Sequence, residues 1–200
     1  MDKLNFDKRL IGLTGGIATG KSTVGAYLQD QYQIPILDAD VYAHQAVQPN
    51  SPILTAIADR YGPEILQTDG SLNRGALGEI IFNDNTEKAW VESQIHPYVK
   101  RGFQLALSQL NQVPTVVLMI PLLFEAELTD WVTEIWVVAC EPDSQLQRLM
   151  ARNALTHSQA LARIQSQMPL AEKIRRADVV LNNDQTPGDL HHQIDQALRK

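Results

Sequence analysis

Eight residues near the amino terminus restrict this chain more than any others do. Gly15-Gly16-Ile17-Ala18-Thr19-Gly20-Lys21-Ser22 fits the spacing G-x-x-x-x-G-K-[ST]. A strand-length apolar stretch, Arg9–Thr14, precedes it, and a helix-length amphipathic stretch, Lys21–Tyr32, follows it. Glycines let such a turn curl until its backbone N–H groups point inward, and the helix amino terminus adds partial positive charge. The spacing therefore predicts a cradle for phosphate groups. Lys21 reaches the outer phosphates, and the Ser22 hydroxyl is placed to ligate a hard divalent cation.

The rest of the chain supplies a fold for that turn. Short apolar runs alternate with longer amphipathic ones. Ile34–Leu37, Thr115–Ile120, Ile135–Cys140 and Asp178–Leu181 read as further strands. The two middle runs are continuously apolar, as in parallel strands covered on both faces. Glu87–Leu110, Asp143–Asn153, Ser158–Gln167 and Asp189–Leu198 carry helical periodicity. The alternation predicts a doubly wound α/β fold. Residues 41–110 contain helical patterns and no convincing strand, so they read as a helical insertion. The expected division is a core of 1–40, 111–150 and 176–200, the insertion at about 41–110, and a helical lid at about 151–175.

Composition narrows the chemistry. The 200 residues are 44% hydrophobic, enough for a real core, and carry a formal net charge of −6. An acidic chain is poorly suited to nucleic acid, so no nucleic-acid partner is expected. The single cysteine, Cys140, lies in an apolar run and reads as a small core residue. The amino-terminal residues lack the apolar segment of a signal peptide. The longest apolar stretch, Val116–Phe124, is interrupted by Pro121 and is too short to span a bilayer. These readings predict a cytoplasmic protein with no membrane partner, a monomer or weak homo-oligomer.

Two charged groups accompany the phosphate turn. Asp38 and Asp40 close the second strand; if the strand persists, both leave from one face. A carboxylate there is suited to orient an alcohol and accept its proton; the lesser alternative is a pair of helix-capping aspartates before Val41–Gln48. Between Arg148 and Arg176 lie six Lys or Arg and one acid, Glu172. Arg148 and Arg152 are four apart and share a helix face, and their guanidinium forks suit phosphate oxygens. The stretch Arg152–Gln167 reads as a lid that excludes water.

A phosphate turn alone does not separate a transferase from a switch. The N-K-x-D of a guanine site is absent, and the D-x-x-G at Asp59–Gly62 falls inside the insertion. The third strand runs into Pro121-Leu122-Leu123-Phe124-Glu125 where an ATPase motor would carry a metal-binding acid.

Taken together, the ordered motifs resemble the dephospho-CoA kinase family. They are LTGGIATGKSTV, DADVYAH at Asp38–His44, LNRGAL at Leu72–Leu77, IF at Ile81–Phe82, HP at His96–Pro97 and PLLFE at Pro121–Glu125. QLQRLMAR at Gln145–Arg152, QMPLAEK at Gln167–Lys173 and the Asn182–Asn183 pair complete the set. The resemblance implies a P-loop NTPase three-layer fold with a parallel sheet, helical substrate-binding insertion and helical lid. It implies transfer from ATP, with Mg2+, to the ribose 3′-hydroxyl of 3′-dephospho-CoA. It makes Asp40 the base, with Asp38 beside it, and Lys21, Arg148 and Arg152 partners of the γ-phosphoryl group. Gly15, Gly16, Ile17, Ala18, Thr19, Gly20, Lys21, Ser22 and Thr23 would hold ATP, with Asn182 or Asn183 near adenine. Asn73, Arg74, His96, Pro97, Phe124 and Glu125 would lie toward the acceptor. On residue type alone, Arg74 suits a pyrophosphate or the surface, His96-Pro97 suits a helix break, and Phe124 suits a stacking surface or the core. Ala18-Thr19 and Asn153 depart from the commoner Gly-Ser and Asp of the family. The alternatives are a nucleoside or nucleotide kinase, and a non-catalytic nucleotide-binding switch.

Overall fold

A computed structural model describes residues 8–199. Five strands form one parallel sheet in the order β2-β3-β1-β4-β5. They are β1 (Arg9–Gly15), β2 (Ile36–Asp38), β3 (Thr115–Met119), β4 (Glu134–Ala139) and β5 (Val179–Asn182). β1 lies at the centre, with Ile11 paired to Val117 on one side and Glu134 on the other. Its neighbours on the two sides come from opposite directions in the order of strands, and an open α/β sheet binds ligands at such a switch point, beyond the carboxyl ends.

The buried strands are the ones with unbroken apolar runs. Ile11, Leu13, Val117, Trp136 and Val138 are inaccessible to solvent. Helix α1 (Lys21–Tyr32) sets Val24 and Leu28 into the same core. Helix α9 (Pro187–Leu198) adds Leu190, Ile194 and Ala197. Each fully buried leucine or isoleucine contributes about 1.5–3 kcal/mol. The start of α9 is set locally: Thr186 accepts from the Asp189 N–H, Asp189 answers the Thr186 N–H, and Pro187 occupies the first turn.

Between β4 and β5 run α6 (Pro142–Asn153), α7 (His157–Gln165) and α8 (Leu170–Arg175). Helix α7 opens with a second capping box, Thr156 with Gln159. The second strand starts at Ile36 rather than Ile34 and ends at Asp38.

Residues Ala39–Leu110 form a second compact unit. It contains α2 (Ala39–Ala46), α3 (Pro52–Tyr61), α4 (Arg74–Asn83) and α5 (Asn85–Gln109). Its own core includes Ala46, Leu54, Ile57, Ile65, Leu72, Leu77 and Val91. Among the described residues its only extended pairing is one antiparallel bridge, Leu66 with Leu72. Ser51, Asn73 and Asp84 cap three of the helices through their side chains.

Pro97 does not break α5, which runs through it for 25 residues. Proline removes one ladder hydrogen bond. The buried positions Val91, Val99, Phe103 and Leu107 keep one face of the helix inward on both sides of it. That packing holds the helix together where local preference opposes it.

Candidate active site

β1 delivers the chain into the phosphate turn, and the turn is braced from behind. Thr14 and Thr19 are fully buried. The Thr14 hydroxyl donates to the Pro121 carbonyl at 3.1 Å, and the Thr19 hydroxyl to the Gly16 carbonyl at 3.0 Å. A β-carbon on Gly15 would collide with the Val138 carbonyl, so only glycine lets β1 pass this close to β4 before turning.

Three side-chain amides then take up the backbone of the turn. Gln145, on α6 and 5% exposed, donates from Nε2 to the Ile17 carbonyl at 2.9 Å. The Ile17 N–H donates to Gln167 Oε1 at 2.8 Å. Asn183 Nδ2 donates to the Thr19 carbonyl at 2.8 Å. These bonds tie the peptides of the turn at Ile17 and Thr19 to three side chains from outside it.

Lys21, the first residue of α1, folds over the start of the loop. Its Nζ donates to the Gly16 carbonyl at 2.9 Å and the Gly15 carbonyl at 3.4 Å. Gly20 occupies the N-cap of α1 and makes no side-chain cap, so no side chain there competes with an anion for the first-turn N–H groups. Ser22 and Thr23 are exposed on that first turn. Ala18 adopts φ +61, the left-handed region.

A buried ion pair lies beneath the loop. Lys173 has no solvent exposure, and its Nζ is 2.7 Å from Glu125 Oε1. The same carboxylate oxygen accepts the Met168 N–H at 3.0 Å. Phe124 is 3% exposed, and the Arg176 guanidinium lies 4.5 Å from its ring centroid. Phe124 is thus a core side chain with a cation on its face.

The two arginines of α6 differ. Arg148 is half-buried and donates to the Asn183 carbonyl at 2.8 Å. Its other terminal nitrogen is buried with no partner among the described residues. Arg152 is exposed and, among the described residues, donates only to Asn153 Oδ1, at 2.9 Å. Of the asparagine pair, Asn183 is the one whose side chain touches the loop. Asn182 Oδ1 accepts the Asp184 N–H at 2.8 Å, and its backbone is bonded on both sides by Gln193.

The carboxylates do not share a strand face. β2 ends at Asp38, paired to Met119, and Asp40 lies in the first turn of α2, exposed. The chain turns helical one residue after Asp38, so the period-2 argument for a common face does not apply.

Within the second unit, Asn73 Oδ1 accepts the Ala76 N–H at 3.1 Å as the cap of α4, and Arg74 begins that helix, exposed. His96 is half-buried in α5; burial lowers its pKa, opposed by Glu92. Pro97 lines a cavity of about 370 Å³ with Pro52, Tyr98 and Arg101.

Sequence reasoning missed the braces Gln145, Gln167 and Lys173 as site residues. One signal was available for Gln145. It lies four residues before the buried Leu149 on α6, a core-facing position for a polar side chain.

Comparison with known proteins agrees with this geometry. A model of the dephospho-CoA kinase family matches residues 9–189. A dephospho-CoA kinase of Synechocystis is 66% identical over 197 residues, 98% of each chain. A crystal structure from Thermus thermophilus superposes with a TM-score of 0.84 at 35% identity, over 97% of this chain and 98% of that one. A dephospho-CoA kinase from Campylobacter jejuni gives 0.66 at 25% identity, over 99% and 96%. The braced phosphate loop at the centre of a five-stranded parallel sheet and the near full-length similarity lead to one conclusion: the chain belongs to the dephospho-CoA kinase family.

Proposed function

We propose that this chain transfers the γ-phosphoryl group of ATP to the ribose 3′-hydroxyl of 3′-dephospho-CoA, giving CoA and ADP. The observation that carries the reading is the phosphate loop, its backbone bonded by Gln145, Gln167 and Asn183, in a chain of this family.

In this reading Gly15–Thr23 receives the phosphates. Lys21 leaves the carbonyls of Gly15 and Gly16 and moves its ammonium to the β- and γ-phosphate oxygens, exchanging neutral acceptors for charged ones. Arg148 turns its guanidinium toward the same charge, and Arg152 approaches from the exposed end of α6. Asp40 accepts the proton of the attacking 3′-hydroxyl, with Asp38 beside it to orient that hydroxyl. The residues also fit Mg2+. Ser22 is exposed on the first turn of α1, and one hard protein oxygen plus phosphate oxygens is the usual magnesium set. When bound, the cation neutralises charge on the β- and γ-phosphates.

Asn73, Arg74, His96, Pro97, Phe124 and Glu125 serve the acceptor side of this reading, and the turn at Asn182 serves adenine. Helix α7 is the lid. Gln167–Lys173 is bonded to the core, so the moving part is shorter than 151–175 and hinges between Ala154, at φ +50, and Gln167. The reading includes a cytoplasmic protein acting as a monomer or weak homo-oligomer. No helix among the described residues is long and apolar enough to cross a membrane.

A coupled ADP-release assay with Mg·ATP tests the proposal, comparing 3′-dephospho-CoA, AMP, adenosine and no acceptor. Fast release with 3′-dephospho-CoA alone, with CoA appearing in step, is the expected result. Folded, ATP-binding protein that releases no ADP with that acceptor would sink the assignment.

A further inference from the structure

The reaction described above leaves one fully buried charge without a role. The Lys173 ammonium contacts three oxygens: Glu125 Oε1 at 2.7 Å, the Pro121 carbonyl at 3.4 Å and the Gly15 carbonyl at 3.5 Å. Three acceptors match its three donors. A buried ion pair is a poor way to gain stability, because apolar residues of similar volume fill such a space without the cost of removing two charges from water. What distinguishes this lysine is what it reaches. One partner is the first carbonyl of the phosphate loop, and another is the carboxylate that follows β3.

The same segment meets the loop a second time. Gln167 Oε1 accepts the Ile17 N–H at 2.8 Å. The next residue, Met168, donates its N–H to the carboxylate oxygen that Lys173 holds. Gln167–Lys173 therefore grips the loop at Gly15 and at Ile17, on either side of Gly16, the residue whose carbonyl Lys21 holds at 2.9 Å. Lys173 and Glu125 together carry no net charge, so their effect on a phosphate is geometric. They fix which way the first peptides of the loop face.

We propose that Lys173, acting with Gln167, is a positioning residue for phosphate binding: it holds the first turn of the loop in the form that receives the nucleotide. The inference rests on the proposed reaction for the identity of the ligand. It extends that reading by assigning part of the affinity to a helix outside the loop.

Titration of Mg·ADP by calorimetry, with thermal unfolding of the same samples, tests it. The double variant Lys173→Met/Glu125→Met replaces the ion pair by apolar side chains of similar length. Its unfolding midpoint should stay close to that of the unaltered chain, while the Kd for Mg·ADP rises about tenfold, the effect of one charge-assisted hydrogen bond. Gln167→Met leaves the ion pair intact and removes only the acceptor of the Ile17 N–H, with an expected rise of about fivefold. In the transfer assay Gln167→Met should raise KM for ATP more than it lowers kcat. Unchanged Kd in the folded variants overturns the inference and leaves Lys173 as a stability pair. If the double variant does not fold, Gln167→Met decides by the same two outcomes. Failure of the unaltered chain to bind Mg·ADP overturns both this inference and the proposed reaction. The acceptor assignment has its own readout in ADP release, so its failure is distinguishable from this one.

Discussion

The side-chain amide of Asn183 occupies the space that a β-carbon on Gly20 would need, while its Nδ2 holds the Thr19 carbonyl at 2.8 Å. Gly20 also sits at φ +106, a conformation that side chains rarely adopt. Gly20→Ala should therefore cost about 1–2 kcal/mol of strain, plus about 1 kcal/mol for the displaced hydrogen bond. Asn183→Ala alone should cost about 1 kcal/mol. The two changes should combine to less than their sum, because both remove the same bond. Urea unfolding of the three variants measures this directly.

Ala18 points the other way. At φ +61 it bears a β-carbon in a region that favours glycine. Ala18→Gly relieves about 1–2 kcal/mol of strain and gives back about 0.5–1 kcal/mol as chain entropy. The net expectation is a modest gain in thermal stability. A drop in the unfolding midpoint would contradict the strain argument.

Asp40 separates catalysis from capping. As the base of the proposed reaction, its change to Asn should lower kcat by about a hundredfold or more and leave Kd for Mg·ADP alone. An aspartate that serves only the first turn of α2 would instead cost about 0.3–1 kcal/mol of stability, with turnover of the folded enzyme intact. Steady-state kinetics beside a denaturation curve distinguishes these outcomes.

Arg148→Lys tests the guanidinium fork. Lysine keeps the charge but offers no planar pair of donors to serve the Asn183 carbonyl and a phosphate oxygen together. We expect kcat/KM for ATP to fall about tenfold or more. Unaltered kinetics would make Arg148 a brace for the loop after β5 and nothing more.

Acid should weaken the second unit through Glu87. Arg60 donates to both of its oxygens and Tyr61 donates its hydroxyl, which lowers the Glu87 pKa from 4.5 to about 2. A carboxylate with a depressed folded pKa contributes stability above its unfolded value and loses it as pH falls toward the folded one. Stability should fall between pH 4.5 and about 2. Glu87→Gln should be less stable at neutral pH and show a shallower fall in that window, measured by thermal unfolding against pH.

The sheet was legible in the sequence because its inner strands are covered on both faces. Thr115–Ile120 and Ile135–Cys140 read as continuous apolar runs for that reason, and β3 and β4 occupy Thr115–Met119 and Glu134–Ala139. β2 was placed two residues early, since Ile34 is buried without being part of a strand. Helix α8 went unread: six residues give too little periodicity to detect. The loop itself followed from spacing. Its braces did not, because Gln145, Gln167 and Lys173 gain their meaning only when two distant segments close on Gly15–Ile17. Nothing in an isolated glutamine distinguishes a buried amide from a solvated one.

The strand order also dictates when the nucleotide site is born. β1 is made before both of its partners: β3 and β4 begin only at Thr115 and Glu134. The unit Ala39–Leu110 has its own core and contacts closer in sequence, so it is expected to form while β1 still waits. Gln167, Lys173 and Asn183 arrive later still. A ribosome must make the chain through Asn183 before the loop has all of these partners, and a product cut short of Gln167 would carry the phosphate-binding sequence without the means to hold it.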